Sequence, residues 1–249
     1  MKYKTAGIIG GMGALATVDI FQKIVLNTYV ECDQDHIPVL IDNNTQVPDR
    51  TKFLLGQGAS PLETMAFSAV RLQNMGADFL LLGCNTAHAL FVELSNCVDI
   101  PIINIIEETA KEVYTRGYKK VGVLATEGFI KHAGFKAYYA SLGIEAVTPH
   151  VEEQEAISAL INAIKANSGQ VPMFGIASVF QRMQSSGAEA FVLSCTELPL
   201  LFSMCKEFEP FADIYEMVDP NLVLAQKAIR LAGGRLLSRQ KSGLSLVNL

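Results

Sequence analysis

The sequence has little of several features that define protein classes. It has no tryptophan and four histidines, and only 18% of its 249 residues are charged, whereas 50% are hydrophobic. This balance argues against disorder and allows a substantial core, in one large domain or two small ones. The net charge is −5, and lysine and arginine form no extended run. A nucleic-acid partner is therefore not expected, because such proteins usually carry a basic patch.

Long apolar segments are also lacking. The longest stretch, from Ala77 to Leu94, is interrupted by Asp78, Asn85, His88 and Glu93, so no membrane span is predicted. No signal-peptide-like apolar region follows the first residues. We therefore expect a cytoplasmic protein without membrane contact, in which the five cysteines are reduced thiols. No CxxC pair and no zinc-like Cys/His spacing is present, so no metal site is expected.

Short aliphatic runs alternate with helical patterns along the whole chain. Strands are predicted at 5–10, 38–41, 79–82 and 102–106, and the pattern starts again with strands at 120–125, 145–148 and 190–193. Helices are predicted between them, including 129–142 and, near the end, 221–237. This alternation predicts an α/β fold with mostly parallel sheets and helices on both faces. Ligands bind such sheets beyond the carboxyl ends of the strands.

One segment of the sequence occurs twice. Residues 76–86 read GADFLLLGCNT, and residues 187–197 read GAEAFVLSCTE, so Cys84 and Cys195 stand 111 residues apart, as Gly76 and Gly187 do. The start of each half is similar as well, since Gly7 to Gly13 aligns with Gly122 to Gly128. We therefore predict two related half-molecules that each place one thiol in a shared cleft.

The two repeated cysteines are the strongest candidates for chemistry. Each follows an aliphatic strand and precedes a predicted helix start, where the positive end of the helix dipole lowers a thiol pKa. A single cysteine in this place is more often a small buried hydrophobic residue, but the repeat favours function. Cys32, Cys97 and Cys205 lack this context and are interpreted as structural.

Two further loops carry residues that suit a small anionic ligand. Arg50 lies in a polar loop after the second strand, and its planar guanidinium suits a carboxylate, although pairing with Asp49 is an equal alternative. The loop from Gly11 to Ala16 fits the dinucleotide pattern GxGxxA, but no acidic residue stands at the usual distance. Its glycines equally suit the approach of backbone N–H groups to a carboxylate.

His88 follows Cys84 by one helical turn, so it either tunes the thiol or is a hydrogen-bonded core histidine. A third reading is a cysteine hydrolase in which His88 activates Cys84, but no third orienting residue is evident. Lys165 ends a helix with an apolar face and is, from its position alone, a solvated lysine.

The sequence resembles the aspartate/glutamate racemase family, and is most similar to its aspartate racemase branch. The matching motifs occur in the family's order, and they are residues 10–13 with 16–17, residues 44–50, residues 83–88 and residues 194–198. Ala14-Leu15 stands where the family often has Pro-Glu, Phe129 where it often has threonine, and Phe135 where it often has tyrosine.

The resemblance implies two pseudo-symmetric three-layer α/β domains with the active site in the cleft between them. The first domain would comprise residues 1–114 and 210–249, whose last helix packs back, and the second residues 115–209. Cys84 and Cys195 would exchange protons with the substrate. The substrate would be bound by Met12, Arg50, Asn85, Thr86, Thr126, Lys165, Thr196 and Glu197.

The resemblance further implies an isomerase that interconverts L- and D-aspartate without cofactor, as a homodimer whose only ligand is an acidic amino acid. Alternatives are a glutamate or broad-specificity racemase, a maleate cis–trans isomerase, and a non-catalytic protein that binds acidic metabolites.

Overall fold

A computed structural model describes residues 3–168 and 172–237 of the chain. The strands are β1 (Ala6–Ile9), β2 (Val39–Asp42), β3 (Phe79–Leu82), β4 (Ile102–Ile103), β5 (Lys120–Leu124), β6 (Glu145–Val147), β7 (Ala190–Leu193) and β8 (Met217–Val218). The helices are α1 (Ala14–Asn27), α2 (Arg50–Leu54), α3 (Leu62–Asn74), α4 (Phe91–Ser95), α5 (Ile105–Thr115), α6 (Glu127–His132), α7 (Phe135–Ser141), α8 (Val151–Lys165), α9 (Ile176–Ser185), α10 (Leu198–Met204), α11 (Glu209–Ile214) and α12 (Pro220–Ala232). Short 3₁₀ turns add Asp33–Asp35, Thr86–Leu90 and Lys206–Phe208.

The strands form two four-stranded sheets of the same topology. Their orders are β2-β1-β3-β4 and β6-β5-β7-β8, and every strand pair is parallel. The central strands β1, β3 and β7 are buried along their whole length, as expected when helices cover both faces of a parallel sheet. The predicted α/β fold with two similar halves is therefore confirmed.

Equivalent glycines show how closely the halves correspond. Gly7 pairs with Leu80 across β1 and β3, and Gly122 pairs with Phe191 across β5 and β7. A β-carbon on Gly7 would lie 2.6 Å from Cδ2 of Leu80, and one on Gly122 would lie 2.7 Å from Cδ1 of Phe191. At both positions only glycine leaves room for the large side chain on the neighbouring strand.

Alternate strand residues pack into different layers. In the first sheet Ile8 and Leu81 pack toward α1 and α12, whereas Ile9 and Leu82 lie in the cluster that includes α3. The cluster containing Ile8 also contains Val123 and other residues of the second sheet. The two halves therefore share one continuous apolar core.

Two predicted helices differ from the structure. The helix predicted at 129–142 is two helices, because Ala133 adopts a left-handed conformation (φ 55°) and ends α6 before α7 begins. The segment after Cys84 forms a 3₁₀ turn before α4 rather than one α-helix. The strand β8 and the helix α11 have too few residues for a clear periodicity, and the sequence did not predict them.

The last helix of the described chain returns to the first half, where α12 packs against α1 and α5. Strand β8, which precedes it, pairs with β7 in the second sheet, so the chain crosses between the halves after Val218. The proposed boundary at residue 210 stays a prediction, and residues 238–249 of that proposed domain lie outside the described residues.

We expect the return of α12 to contribute strongly to stability. Leu224 is fully buried in the shared core, whereas Leu231 on the same helix is 37% exposed. Leu224→Ala should lower the free energy of unfolding by about 2–5 kcal/mol, because it leaves a cavity. Urea unfolding measures this, with Leu231→Ala as the matched control. Equal losses in the two variants would contradict the burial of Leu224 in the shared core.

Candidate active site

The two repeated cysteines lie just beyond the carboxyl ends of equivalent strands. Cys84 follows β3 and Cys195 follows β7, and the two residues are 5% and 4% exposed. Both are free thiols, as are Cys32, Cys97 and Cys205. The repeat thus places two buried thiols at the sheet edges where α/β proteins bind ligands.

A hydrogen bond links the loops that follow β3 and β5. The hydroxyl oxygens of Thr86 and Thr126 lie 2.9 Å apart, and both residues are buried. Thr126 is also the N-cap of α6, because its hydroxyl accepts from the N–H of Phe129. Close by, α2 packs against α6, and a β-carbon on Gly128 would lie 2.9 Å from Cα of Thr51. The carboxyl ends of the two sheets therefore face each other.

The glycine loop after β1 is held by Arg50. The Arg50 guanidinium donates to the carbonyl oxygens of Val47, Pro48 and Met12 at 3.0–3.3 Å. Its Nε is buried and has no protein partner, so one donor is left for a ligand. Asp49 caps α2 by accepting from the N–H of Lys52. Arg50 is therefore more than the surface partner of Asp49.

Packing fixes two members of this loop. The Met12 side chain is buried in the apolar cluster that also contains Cys84, and only its carbonyl oxygen contacts Arg50. Gly11 has a φ of 81°, and a β-carbon there would lie 2.3 Å from the carbonyl oxygen of Asn44. Glycine is thus required by the packing of two loops, independently of any nucleotide.

Glu197 lies against both Cys195 and the glycine loop. Cys195 Sγ donates to Glu197 Oε2 at 3.0 Å, and the Thr196 hydroxyl donates to the same oxygen at 3.3 Å. The other oxygen, Oε1, has no hydrogen-bond partner and would lie 3.1 Å from a β-carbon on Gly13. Glu197 is only 2% exposed. A buried carboxylate oxygen without a partner is a ready acceptor for a cationic ligand group.

Lys165, at the end of α8, is the cation that both thiols share. Its side chain keeps solvent contact, while desolvation by the surrounding protein acts to lower its pKa. The electrostatic influence of Cys195, Glu197 and Cys84 outweighs that effect, so the pKa of Lys165 is raised even though Arg50 opposes them. The ammonium group therefore stays charged and serves both halves.

The Cys195 thiol is strongly protonated in this environment. Burial raises its pKa well above the ordinary value, and the charge of Glu197 raises it further. Lys165 and a hydrogen bond from the Glu197 N–H act in the opposite direction. The expected lowering of this pKa by a helix dipole is wrong for Cys195, because burial and a carboxylate outweigh it.

His88 is a structural histidine. Its Nε2 accepts from the N–H of Ile105 at 3.2 Å, and its Nδ1 contacts the carbonyl oxygen of Cys84 at 2.8 Å. Since Nε2 accepts, Nδ1 carries the hydrogen and donates. Both ring nitrogens are thus occupied by backbone groups, which does not favour a hydrolase in which His88 activates the Cys84 sulfur.

One polar network at the site was missed by sequence reasoning. Asn221 in α12 is fully buried and donates to the Thr196 carbonyl oxygen at 2.8 Å and to Asp19 Oδ2 at 2.7 Å. Lys23 pairs with Asp19 at 2.5 Å and with Asp219 at 2.7 Å. The spacing of Asp19 and Lys23 by four residues was the only available signal. Asn85, which was predicted, is 2% exposed, and its Nδ2 has no hydrogen-bond partner.

The side chains of residues 3–168 and 172–237 also bear on other classes of site. Within this part of the chain no group of three or more His, Cys, Asp or Glu side chains is arranged to hold a metal ion. None of its helices combines the length and the apolar character that crossing a bilayer needs.

Together, the fold and site define a two-domain α/β protein with paired thiols at the carboxyl ends of its two sheets. The family model for Asp/Glu/Hydantoin racemase matches residues 9–228, and the chain belongs to this family of isomerases. It is an amino-acid racemase, and the resemblance noted in the sequence is confirmed.

Known relatives agree with this assignment. The chain is 31% identical over 221 residues to the broad specificity amino-acid racemase RacX of Bacillus subtilis, covering 83% of this chain and 91% of that one. It resembles the structure of Picrophilus torridus aspartate racemase with a TM-score of 0.83 and 29% identity, over 94% of this chain and 96% of that one. A glutamate racemase from Francisella tularensis shares the fold, with a TM-score of 0.66 and 18% identity over 93% and 81% of the two chains.

Burial of His88 predicts a pH dependence of stability. Desolvation lowers its pKa from 6.5 to about 4 in the folded protein, so between these values the unfolded chain binds the proton more readily. His88 should therefore cost the fold up to about 3 kcal/mol as the pH falls from 7.5 to 4. Urea unfolding across this range should show that the free energy of unfolding falls less at low pH in His88→Gln than in the wild-type protein. The exposed His132→Gln should keep the wild-type slope, and equal slopes in all three proteins would refute this role.

Proposed function

We propose that this racemase interconverts L- and D-aspartate by proton transfer between Cα and the thiols of Cys84 and Cys195. One observation carries the proposal: the two buried thiols follow β3 and β7, which hold equivalent places in sheets whose carboxyl ends face each other. Inversion of one stereocentre needs an acid and a base on opposite faces of the carbon. Two thiols from two related halves satisfy that need.

The proposed reaction has two proton transfers. A thiolate takes the proton from Cα, the C–H electron pair stays on the substrate, and the opposite S–H delivers its proton to the other face. The reverse direction exchanges the two roles. Because side chains supply both transfers, the proposal requires no cofactor.

The surrounding charges would stabilise the intermediate. Arg50 has a free buried Nε, and Lys165 stays protonated, so both suit the substrate carboxylate on which negative charge builds. The unpartnered Oε1 of Glu197 suits the substrate ammonium group. Thr86, Thr126, Asn85 and Thr196 would complete the binding site. Met12 would contribute its backbone, because its side chain is packed in the core.

Aspartate is supported by the likeness to the Picrophilus torridus aspartate racemase, at 29% identity over nearly the whole chain. A broader amino-acid range is the second candidate, because the Bacillus subtilis relative is a broad-specificity racemase. Phe129 agrees with this candidate, because it offers no hydroxyl for a second substrate carboxylate where the family often has threonine. Phe129 is buried and stacks on Phe135 with ring centroids 4.7 Å apart.

Deuterium exchange at Cα tests this chemistry. In D₂O with no added cofactor, NMR should show loss of the α-proton signal of L-aspartate, and circular dichroism should show the appearance of the D-enantiomer. Cys84→Ser and Cys195→Ser should each lower the rate by about 10²-fold or more. Cys97→Ser is the matched control, because Cys97 is exposed and donates to its own helix at Glu93.

Other outcomes separate the alternatives. Full activity in either single variant would contradict two-thiol chemistry, and equal rates with L-glutamate or apolar amino acids would establish a broad range. Conversion of maleate to fumarate would identify the cis–trans isomerase. Binding of aspartate without exchange at Cα would identify a binding protein.

We further propose a cytoplasmic homodimer. The five free cysteines suit a reducing compartment. A surface for a second copy is the outer stripe of α1 and the residue beyond it, which comprises Leu15, Val18, Leu26 and Tyr29, all at least 36% exposed. These positions carry no charge, so the same stripe of a second copy meets it without repulsion.

The dimer proposal predicts a change of mass in solution. Val18→Asp and Leu26→Asp should each shift light-scattering mass from dimer to monomer, because a charge would be buried at the two-fold contact. Val151→Asp is the control, since Val151 is 84% exposed on α8. A monomeric wild-type protein, or a dimer unaffected by both α1 variants, would overturn this interface.

A further inference from the structure

The polar network around Asn221 joins three parts of the site. Asn221 is the second residue of α12, and its Nδ2 donates to both Asp19 of α1 and the carbonyl of Thr196. Since both partners are acceptors, the orientation of the amide is fixed. The Asn221 side chain is therefore committed to these two contacts.

The contact with Thr196 bears directly on the second thiol. The carbonyl of Thr196 and the N–H of Glu197 belong to one planar peptide group and point in opposite directions. The Leu198 N–H donates to the Cys195 carbonyl oxygen at 2.9 Å and closes a turn around this peptide. Within the turn the Glu197 N–H acts on the Cys195 sulfur and opposes the rise in its pKa. A hydrogen bond received by the carbonyl holds the peptide plane and strengthens its N–H as a donor.

We propose that Asn221 is a positioning residue that fixes the Thr196–Glu197 peptide and so aims the Glu197 N–H at the Cys195 sulfur. Asn221 itself does not touch the thiol, and it acts through the peptide alone. The inference rests on the proposed role of Cys195 in catalysis.

Asn221 is itself held in place by three charged side chains, those of Asp19, Lys23 and Asp219. Lys23 bridges the two carboxylates, and Asp219 Oδ1 accepts from the backbone N–H of Asn221 at 2.8 Å. The network therefore ties the loop of Cys195 in the second half to α1, the helix that starts at the glycine loop of the first half. The charged groups that face the Cys195 sulfur itself are Glu197 and Lys165.

The first test measures the thiol without using racemase activity. Alkylation rates of Cys195 and Cys84 by iodoacetamide are followed by peptide mass spectrometry from pH 6 to pH 10. In Asn221→Leu the Cys195 profile should move to higher pH, with about tenfold less thiolate at a given pH, because a charge-assisted hydrogen bond is lost. The Cys84 profile is the internal control and should stay in place.

Asp19→Asn is the matched variant, because it removes the charge beside Asn221 but leaves the donor to Thr196. It should lower stability and leave the Cys195 profile within about twofold of wild type. Should Asn221→Leu fail to fold, Asn221→Ser, whose shorter side chain withdraws the amide donor, takes its place. An unmoved Cys195 profile, or equal shifts for both cysteines, would overturn the proposal.

The second test reads catalysis. With α-deuterated L- and D-aspartate, the primary isotope effect on kcat should change in Asn221→Leu for one enantiomer only, the one that Cys195 deprotonates. Equal changes for both enantiomers would indicate a general structural defect and overturn the assignment. If neither protein racemises aspartate, the proposed function fails, and the alkylation profiles still decide the role of Asn221.

Discussion

The hydroxyl contact between Thr86 and Thr126, 2.9 Å long, joins the carboxyl ends of the two sheets. Everything proposed for the site requires this face-to-face arrangement, because each half supplies only one thiol. The shared apolar core supports it, since residues of both sheets and of α12 lie in one cluster. Opposed thiols can then be held by packing that lies well away from the substrate.

The charges around the thiols determine which groups of the site hold a proton. Cys195 is kept as a thiol by burial and by Glu197, while Lys165 keeps its proton because Cys195, Glu197 and Cys84 favour its charged form. A thiol of raised pKa still holds its proton at neutral pH and can deliver it to a carbanion, and it becomes a base when a cationic group offsets Glu197. The substrate ammonium is such a group, because Oε1 of Glu197 has no other partner. Substrate binding would thereby reduce the extent to which Glu197 raises the pKa of the Cys195 thiol.

Sequence patterns predicted the local structure of the site better than its electrostatics. The strands that lead to the cysteines, Phe79–Leu82 and Ala190–Leu193, lie where the aliphatic runs predicted them. The internal repeat predicted two halves, and the structure has two sheets of equal topology. The raised pKa of Cys195 was not predictable, because burial and the approach of Glu197 are tertiary effects. Asn221 was missed for the same reason, since its partners lie 202 and 25 residues away in sequence.

The repeat also explains why the two thiols differ. At the positions that follow the cysteines, Asn85-Thr86 in the first half corresponds to Thr196-Glu197 in the second. Thr86 bonds across the interface to Thr126, whereas Glu197 turns to its own cysteine. Two halves built from L-amino acids are related by a rotation and never by a mirror, so they cannot present mirror-image surroundings to L- and D-substrates. The two halves do differ beside their thiols, because Glu197 contacts Cys195.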